Sequence, residues 1–359
     1  MKKLWKNKQT RERIATYSLV TIGFLVMHSL SVGGYLGSAM KGFLVPVCSY
    51  IVLAVSLNLL VGICGELSLG HAGFMGIGAF TGILAAAVLS EAVPSPVLRL
   101  ILAMICGGVM AGILGFLIGI PTLRLRGDYL AIVTLAFGEI IKNVVNNLYI
   151  GLDTKGLHIS LTSAKFTLEK GGKMILDGPI GATGIRKIST FPMGFALILF
   201  TLFVVLNLVN SKEGRAIKAV RDNRIAAESV GINVTAFRMK AFVVSAVLAG
   251  MAGALYGLNM SSISASKFNY NTSINILVFV VLGGMGNILG SVISATVLYI
   301  LPEAMRELYD YRMILYAVVL IVVMLFTWSP KVRELMEIVS DWAKKTVRKL
   351  FRKEALTDE

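Results

Sequence analysis

Residues 214–238 read GRAIKAVRDNRIAAESVGINVTAFR, the only long polar stretch in the second half of the chain that lies between two hydrophobic runs. It carries Arg215, Lys218, Arg221, Arg224 and Arg238 against Asp222 and Glu228. Its apolar residues Ile217, Val220, Ile225, Ala227 and Val230 recur at roughly helical spacing, which predicts a short amphipathic helix. Gly231 supplies a stop at the helix end. A basic loop beside long hydrophobic spans belongs on the cytoplasmic side of a membrane. Such an elbow is where a soluble partner can push on a membrane-embedded bundle.

The composition agrees. Of 359 residues, 56% are hydrophobic and 15% charged, and the mean hydropathy is +0.77. A soluble domain of this size carries far more charge, so the chain reads as a multi-span membrane protein. The net charge of +15 is explained by Lys and Arg collecting in cytoplasmic loops facing anionic membrane lipid, and implies no nucleic acid. Cys48, Cys64 and Cys106 lie in apolar stretches without C-x-x-C spacing and read as packing residues. Six basic residues in 1–13 precede the apolar run 14–36. That run is too long for a signal peptide and predicts a retained span with its N-terminus inside.

Candidate spans are 14–36, 43–64, 67–90, 97–120, 128–150, 191–209, 239–260, 273–301 and 313–328. Their length and lack of alternation favour helices over barrel strands. Arg124 and Arg126 place 121–127 inside, and the basic tail after Trp328 belongs there too. One helix over 273–304 would reach about 48 Å, against roughly 30 Å of hydrocarbon. Gly283-Gly284-Met285-Gly286-Asn287 is a natural break, and a chain that turns back there reconciles the topology. Residues 62–70 (GICGELSLG) interrupt 43–90 in the same way, which reads as a weak internal repeat of broken helices lining a permeation path. Gly108-x-x-x-Gly112 and Gly115-x-x-x-Gly119 read instead as close helix contacts. The expected fold is an all-α polytopic membrane protein of about 8–10 transmembrane helices. It has two broken or re-entrant segments and a cytoplasmic coupling helix. A membrane domain at 14–328 contains the coupling loop 211–238, and an amphipathic basic tail at 329–359 lies along the interface. Residues 151–190 form the largest outside segment, either a docking surface or a solvated connector.

No G-x-x-x-x-G-K-[ST] phosphate loop, H-E-x-x-H motif or paired metal ligands occur, so no catalytic residue, metal or cofactor is expected. Polar groups inside spans are costly and usually face the bundle interior. Glu139 is the sharpest, with Thr134, Asn143, Asn146 and Asn147 nearby on the same span. It belongs either to a substrate or proton path or to an ion pair with Lys142 or a neighbouring helix. Ser68 and His71 beside the first break, and Asn275 and Asn287 near the second, are pathway candidates whose plainer reading is helix-packing hydrogen bonds.

Four runs carry a resemblance. They are 57–79 (LNLLVGICGELSLGHAGFMGIGA), 123–135 (LRLRGDYLAIVTL), 214–232 within the elbow, and 281–290 (VLGGMGNILG). In content and order they are similar to the permease subunits of branched-chain amino acid ABC importers, closer to the M-type subunit than to its H-type companion. The resemblance implies a bacterial inner-membrane importer. Its other parts would be a second, H-type permease subunit, two cytoplasmic ATP-binding cassette ATPases and a periplasmic or lipid-anchored substrate-binding protein. It also implies that Ala226, Ala227, Glu228 and Gly231 belong to a coupling helix seated on an ATPase. The expected coupling residues are Arg221, Asp222, Ala226, Glu228 and Gly231. The missing phosphate loop then sits in a partner.

Two other functions fit the residues alone. A proton-coupled secondary transporter would centre on Glu139, and an intramembrane enzyme would use His71 and Glu139. Within the resemblance, another amino acid, urea or an amide is an alternative cargo.

Overall fold

Small residues decide which helices can touch. In the computed structural model the described residues are 8–35, 37–125, 127–153, 156–161 and 172–305, with 314, 317–322 and 325 beyond them. Their helices are α1 (Lys8–Val32), α2 (Ser38–Asn58), α3 (His71–Val88), α4 (Pro96–Thr122), α5 (Asp128–Asn146) and α6 (Phe191–Asn210), then α7 (Lys212–Asp222), α8 (Arg224–Ser229), α9 (Val234–Gly257), α10 (Tyr270–Gly283) and α11 (Ile288–Ala304). Six helical spans among these residues are long and apolar enough to cross a membrane, in α1, α2 with its extension to Cys64, α3, α4, α6 and α9. α10 and α11 are shorter apolar helices. α5, which carries Asp128, Glu139 and Lys142 in its 19 residues, is not among the six.

α9 is the central post, with α3 and α4 packed on it. A Cβ on Gly78 would lie 2.1 Å from the Gly250 carbonyl oxygen, and one on Gly253 would lie 2.0 Å from that of Met75. The backbones of α3 and α9 therefore touch, the mode of association that small residues permit in lipid. Gly108, Gly112, Gly115 and Gly119 all face α9, against Met251, Val247, Ala246 and Met239, as their spacing predicts. α1 lies along α6, where Phe24 stacks on Phe195 with ring centroids 4.0 Å apart.

Both expected breaks are present. α2 loosens into a π-helical turn at Leu59–Cys64, and Gly65 at φ +78° ends it. The chain then runs without helix to His71, where α3 begins. α10 stops at Gly283, and after a short turn α11 starts at Ile288.

Two features depart from the sequence reading. The segment 149–183 is built partly of strands. β1 (Tyr149–Asp153), β2 (Gly156–Ser160) and β3 (Lys173–Asp177) form an antiparallel sheet in the order β2-β1-β3. β4 (Ala182–Thr183) pairs with β5 (Ser262–Ile263) and ties this segment to the connection after α9. The elbow is two short helices, not one. Asn223, with φ −154° and ψ 106°, ends α7 and caps α8, its side chain accepting from the Ala226 N–H at 3.0 Å. A side-chain cap competes with helix continuation, and that is why the apolar periodicity alone overran the boundary. Ile217, Val220 and Ala227 are buried, but Ile225 and Val230 are 80% and 74% exposed.

Residues 1–300 form one compact unit and 301–359 a second. In 313–328, positions 314, 317–322 and 325 are helical. The tail 329–359, Arg126 and the residues before Lys8 lie outside the described residues.

Candidate functional site

The two breaks meet. Asn58, fully buried near the end of α2, accepts from the Gly286 N–H at 2.8 Å. Its amide nitrogen lies 3.0 Å from the Asn287 carbonyl oxygen and 2.8 Å from Ser291 Oγ. One carboxamide thus satisfies backbone groups that the second break leaves free, as burial in an apolar setting requires. Asn287 caps α11 by accepting from the Gly290 N–H at 3.1 Å.

The elbow reaches the first break through two arginines. Arg221 Nη1 donates to the Gly62 carbonyl at 3.1 Å. The last carbonyls of a helix lack partners within it, and a cation there also meets the negative end of the helix dipole. The stem of Arg221 lies across Gly65, where a Cβ would approach its Cγ to 2.6 Å. Asp222 takes Arg221 Nε and Nη2 at 3.0 and 2.8 Å and holds the guanidinium in place. Arg238, only 4% exposed on its side chain, pairs with Glu66 at 2.5 Å and donates to the Leu123 carbonyl at 3.1 Å. It joins the start of α9 to the first break and to the end of α4.

α8 ends in a Schellman arrangement. Gly231, at φ +83°, donates to Glu228 O, and the Ile232 N–H donates to Ala227 O, both at 3.0 Å. Val220, Ala227 and Val234 form a small core with Ile232 against it. This leaves Asp222, Ala226, Glu228, Ile225 and Val230 on the outer surface of the elbow. Glu228 makes an exposed pair with Arg224 at 3.0 Å.

The expected pathway residues divide. His71 is buried, its Nε2 2.8 Å from Ser56 Oγ, and the Ser56 carbonyl accepts from Ser245 at 2.7 Å. Thr134 accepts from the Leu69 N–H at 3.1 Å, holding the unwound stretch to α5. Ser68 Oγ is buried and has no partner among the described residues. Glu139 pairs with Lys142 and accepts from the Tyr270 N–H at 3.0 Å, capping α10. Asn143 and Asn275 are exposed and lie outside this cluster. Sequence reasoning assigned no role to Asn58, Ser56 or Glu66, and none to Arg238 beyond its charge. A lone carboxamide inside the apolar run 51–64 was the signal for Asn58.

A family model described as branched-chain amino acid transport system / permease component matches residues 39–327. The chain belongs to this family. The permease is 34% identical over 292 residues to the high-affinity branched-chain amino acid transport system permease protein LivM of Escherichia coli K12, across 79% of this chain and 67% of that protein. The same figures hold for LivM of Salmonella typhimurium LT2. A probable LivM of Methanocaldococcus jannaschii is 25% identical over 220 residues, covering 57% of this permease and 56% of its relative. The matched region contains both breaks and the whole elbow. The protein is a multi-pass membrane permease.

Proposed function

We propose that this permease pairs with a second, H-type permease subunit to carry branched-chain amino acids inward. Two partner ATPases drive it, and an external binding protein supplies the cargo. The observation that carries the coupling is the Arg221–Gly62 contact. It places a surface helix pair, fit to dock on a soluble protein, in direct contact with the turn where the two broken helices meet. In this reading the elbow is cytoplasmic. Exposed Ile225, Ala226 and Val230, ringed by Arg224 and Glu228, form the face that enters an ATPase groove. ATP-driven closure then moves the first break through Arg221 and Arg238, and Asn58 passes the movement to the second.

Arg221→Glu removes a charge-assisted hydrogen bond worth about 1.5–3 kcal/mol and sets a carboxylate beside a carbonyl. Leucine uptake by cells expressing the complete importer should fall at least roughly tenfold, with the chain still inserted. Glu228→Lys breaks only an exposed pair inside the permease, so its loss of uptake should track loss of ATPase co-purification. Wild-type uptake by both variants, or uptake that persists with both ATPases deleted, would end this reading.

Proton coupling through Glu139 makes the opposite prediction. Glu139 is already held by Lys142 and by the cap on α10. Glu139→Gln keeps an acceptor for Tyr270, so uptake should stay within about twofold of wild type. It should also survive a protonophore while ATP is clamped.

A further inference from the structure

A cavity of about 450 Å³ opens on the side of the two breaks away from the elbow. The size is that of a small-molecule site, roughly 300–1,000 Å³. Its walls come from α2, α3, the end of α9 and the start of α10. Its lining includes the apolar Met75 and Phe268 and the rings of Tyr50 and Tyr256. Ser266, Lys267 and Asn271 are among its polar lining residues.

Two observations distinguish this cavity from a packing gap. Tyr256 is 8% exposed, yet neither its hydroxyl nor that of Tyr50 has a hydrogen-bond partner among the described residues. Tyr50 is fixed by stacking on Tyr299, with centroids 4.4 Å apart, and by edge contacts to Phe279 and Tyr256 at 6.2 and 6.1 Å. Packed rings whose hydroxyls take no protein partner offer those hydroxyls to a polar guest in the cavity. Lys267, an exposed residue of the lining, has no ion pair among the described residues, which leaves its ammonium open to a carboxylate. Its backbone is pinned, because the Thr272 hydroxyl donates to the Lys267 carbonyl at 2.8 Å.

The geometry points to a transit site for an aliphatic α-amino acid. Lys267 meets the carboxylate. The tyrosine hydroxyls and the Asn271 side-chain oxygen accept from the ammonium group. Met75, Phe268 and the tyrosine rings take the side chain. The site deepens the functional reading above and rests on it. It also lies near the first break, because Ser273, adjacent to lining residue Thr272, accepts from the Ala72 N–H at 3.0 Å at the start of α3. An amino acid released from outside would rest here until the breaks part.

The test uses the complete importer in proteoliposomes, with binding protein saturated by L-leucine so that maximal uptake reports passage rather than capture. Lys267→Gln should lower maximal uptake roughly tenfold, the scale of one lost charge-assisted contact, and Lys267→Arg should restore most of it. Tyr256→Phe keeps the ring and removes the hydroxyl, so it guards against misfolding and should give a smaller loss. Independently, Ser266→Cys in a Cys106→Ser background should react with an impermeant maleimide, and excess leucine should slow the reaction. A wild-type importer that carries no leucine, isoleucine or valine overturns the functional reading and this site with it. Leucine uptake unchanged by Lys267→Gln and Tyr256→Phe, with labelling indifferent to leucine, overturns the site alone.

Discussion

Gly62→Val should abolish uptake. A Cβ at this position would lie 2.0 Å from Asn58 Oδ1 and 2.1 Å from the Gly286 nitrogen, the two atoms whose 2.8 Å bond joins the breaks. Neither can step aside. The nitrogen is backbone, and the carboxamide is already committed to Asn287 and Ser291. Ordinary overpacking costs about 1–3 kcal/mol. Here the insertion also breaks the bond from the Gly286 N–H and strands its buried acceptor, Asn58, adding a similar amount. Gly42→Ala is the control, because a Cβ there meets nothing within 4 Å. It should transport like wild type. Leucine uptake and the midpoint of thermal unfolding in detergent would report both variants, and normal transport by Gly62→Val would remove the junction from the mechanism.

Arg238→Met should produce the largest loss of stability among the charged positions. The guanidinium is nearly inaccessible, and its carboxylate partner Glu66 is 16% exposed. Removing one member of such a pair leaves the other charge desolvated, typically at a cost of about 3–5 kcal/mol. The Leu123 carbonyl loses its donor as well. Replacing both partners by apolar groups spares the isolated charge. The double variant Arg238→Met/Glu66→Leu should therefore unfold later than Arg238→Met alone. If it does not, the pair has no independent role and Arg238 acts through Leu123.

How much of this was readable from the chain differs by element. The spans and both breaks follow from apolar length and glycine clusters, because lipid leaves an exposed backbone few options. The elbow's charge and its glycine stop were legible, but its division was not. Asn223 looks like any polar residue until its side chain is seen capping Ala226. The strands of 149–183 escaped because their residues are short, mixed runs among turn formers, with no clean alternation to mark them. Glu139 drew attention as an intramembrane carboxylate, and the same rule applied evenly would have chosen Asn58. Partners settle the difference. Glu139 finds Lys142 three residues on, within reach on its own helix. Asn58 finds its partners more than 220 residues away, a pairing no local pattern carries.

The glycine seams between α9 and its neighbours have a mechanical consequence. Where backbones touch, as Gly78 does at Gly250 and Gly253 at Met75, sliding by even part of a turn would drive side chains into main chain. Close-packed interfaces are stiff and switch between discrete arrangements rather than flow. α3, α4 and α9 must then travel as one rigid body, and the flexure of a working cycle falls on residues 65–70 and 284–287. Spin labels on α3 and α9 should keep a constant separation through ATP turnover, while labels straddling α9 and α11 change theirs.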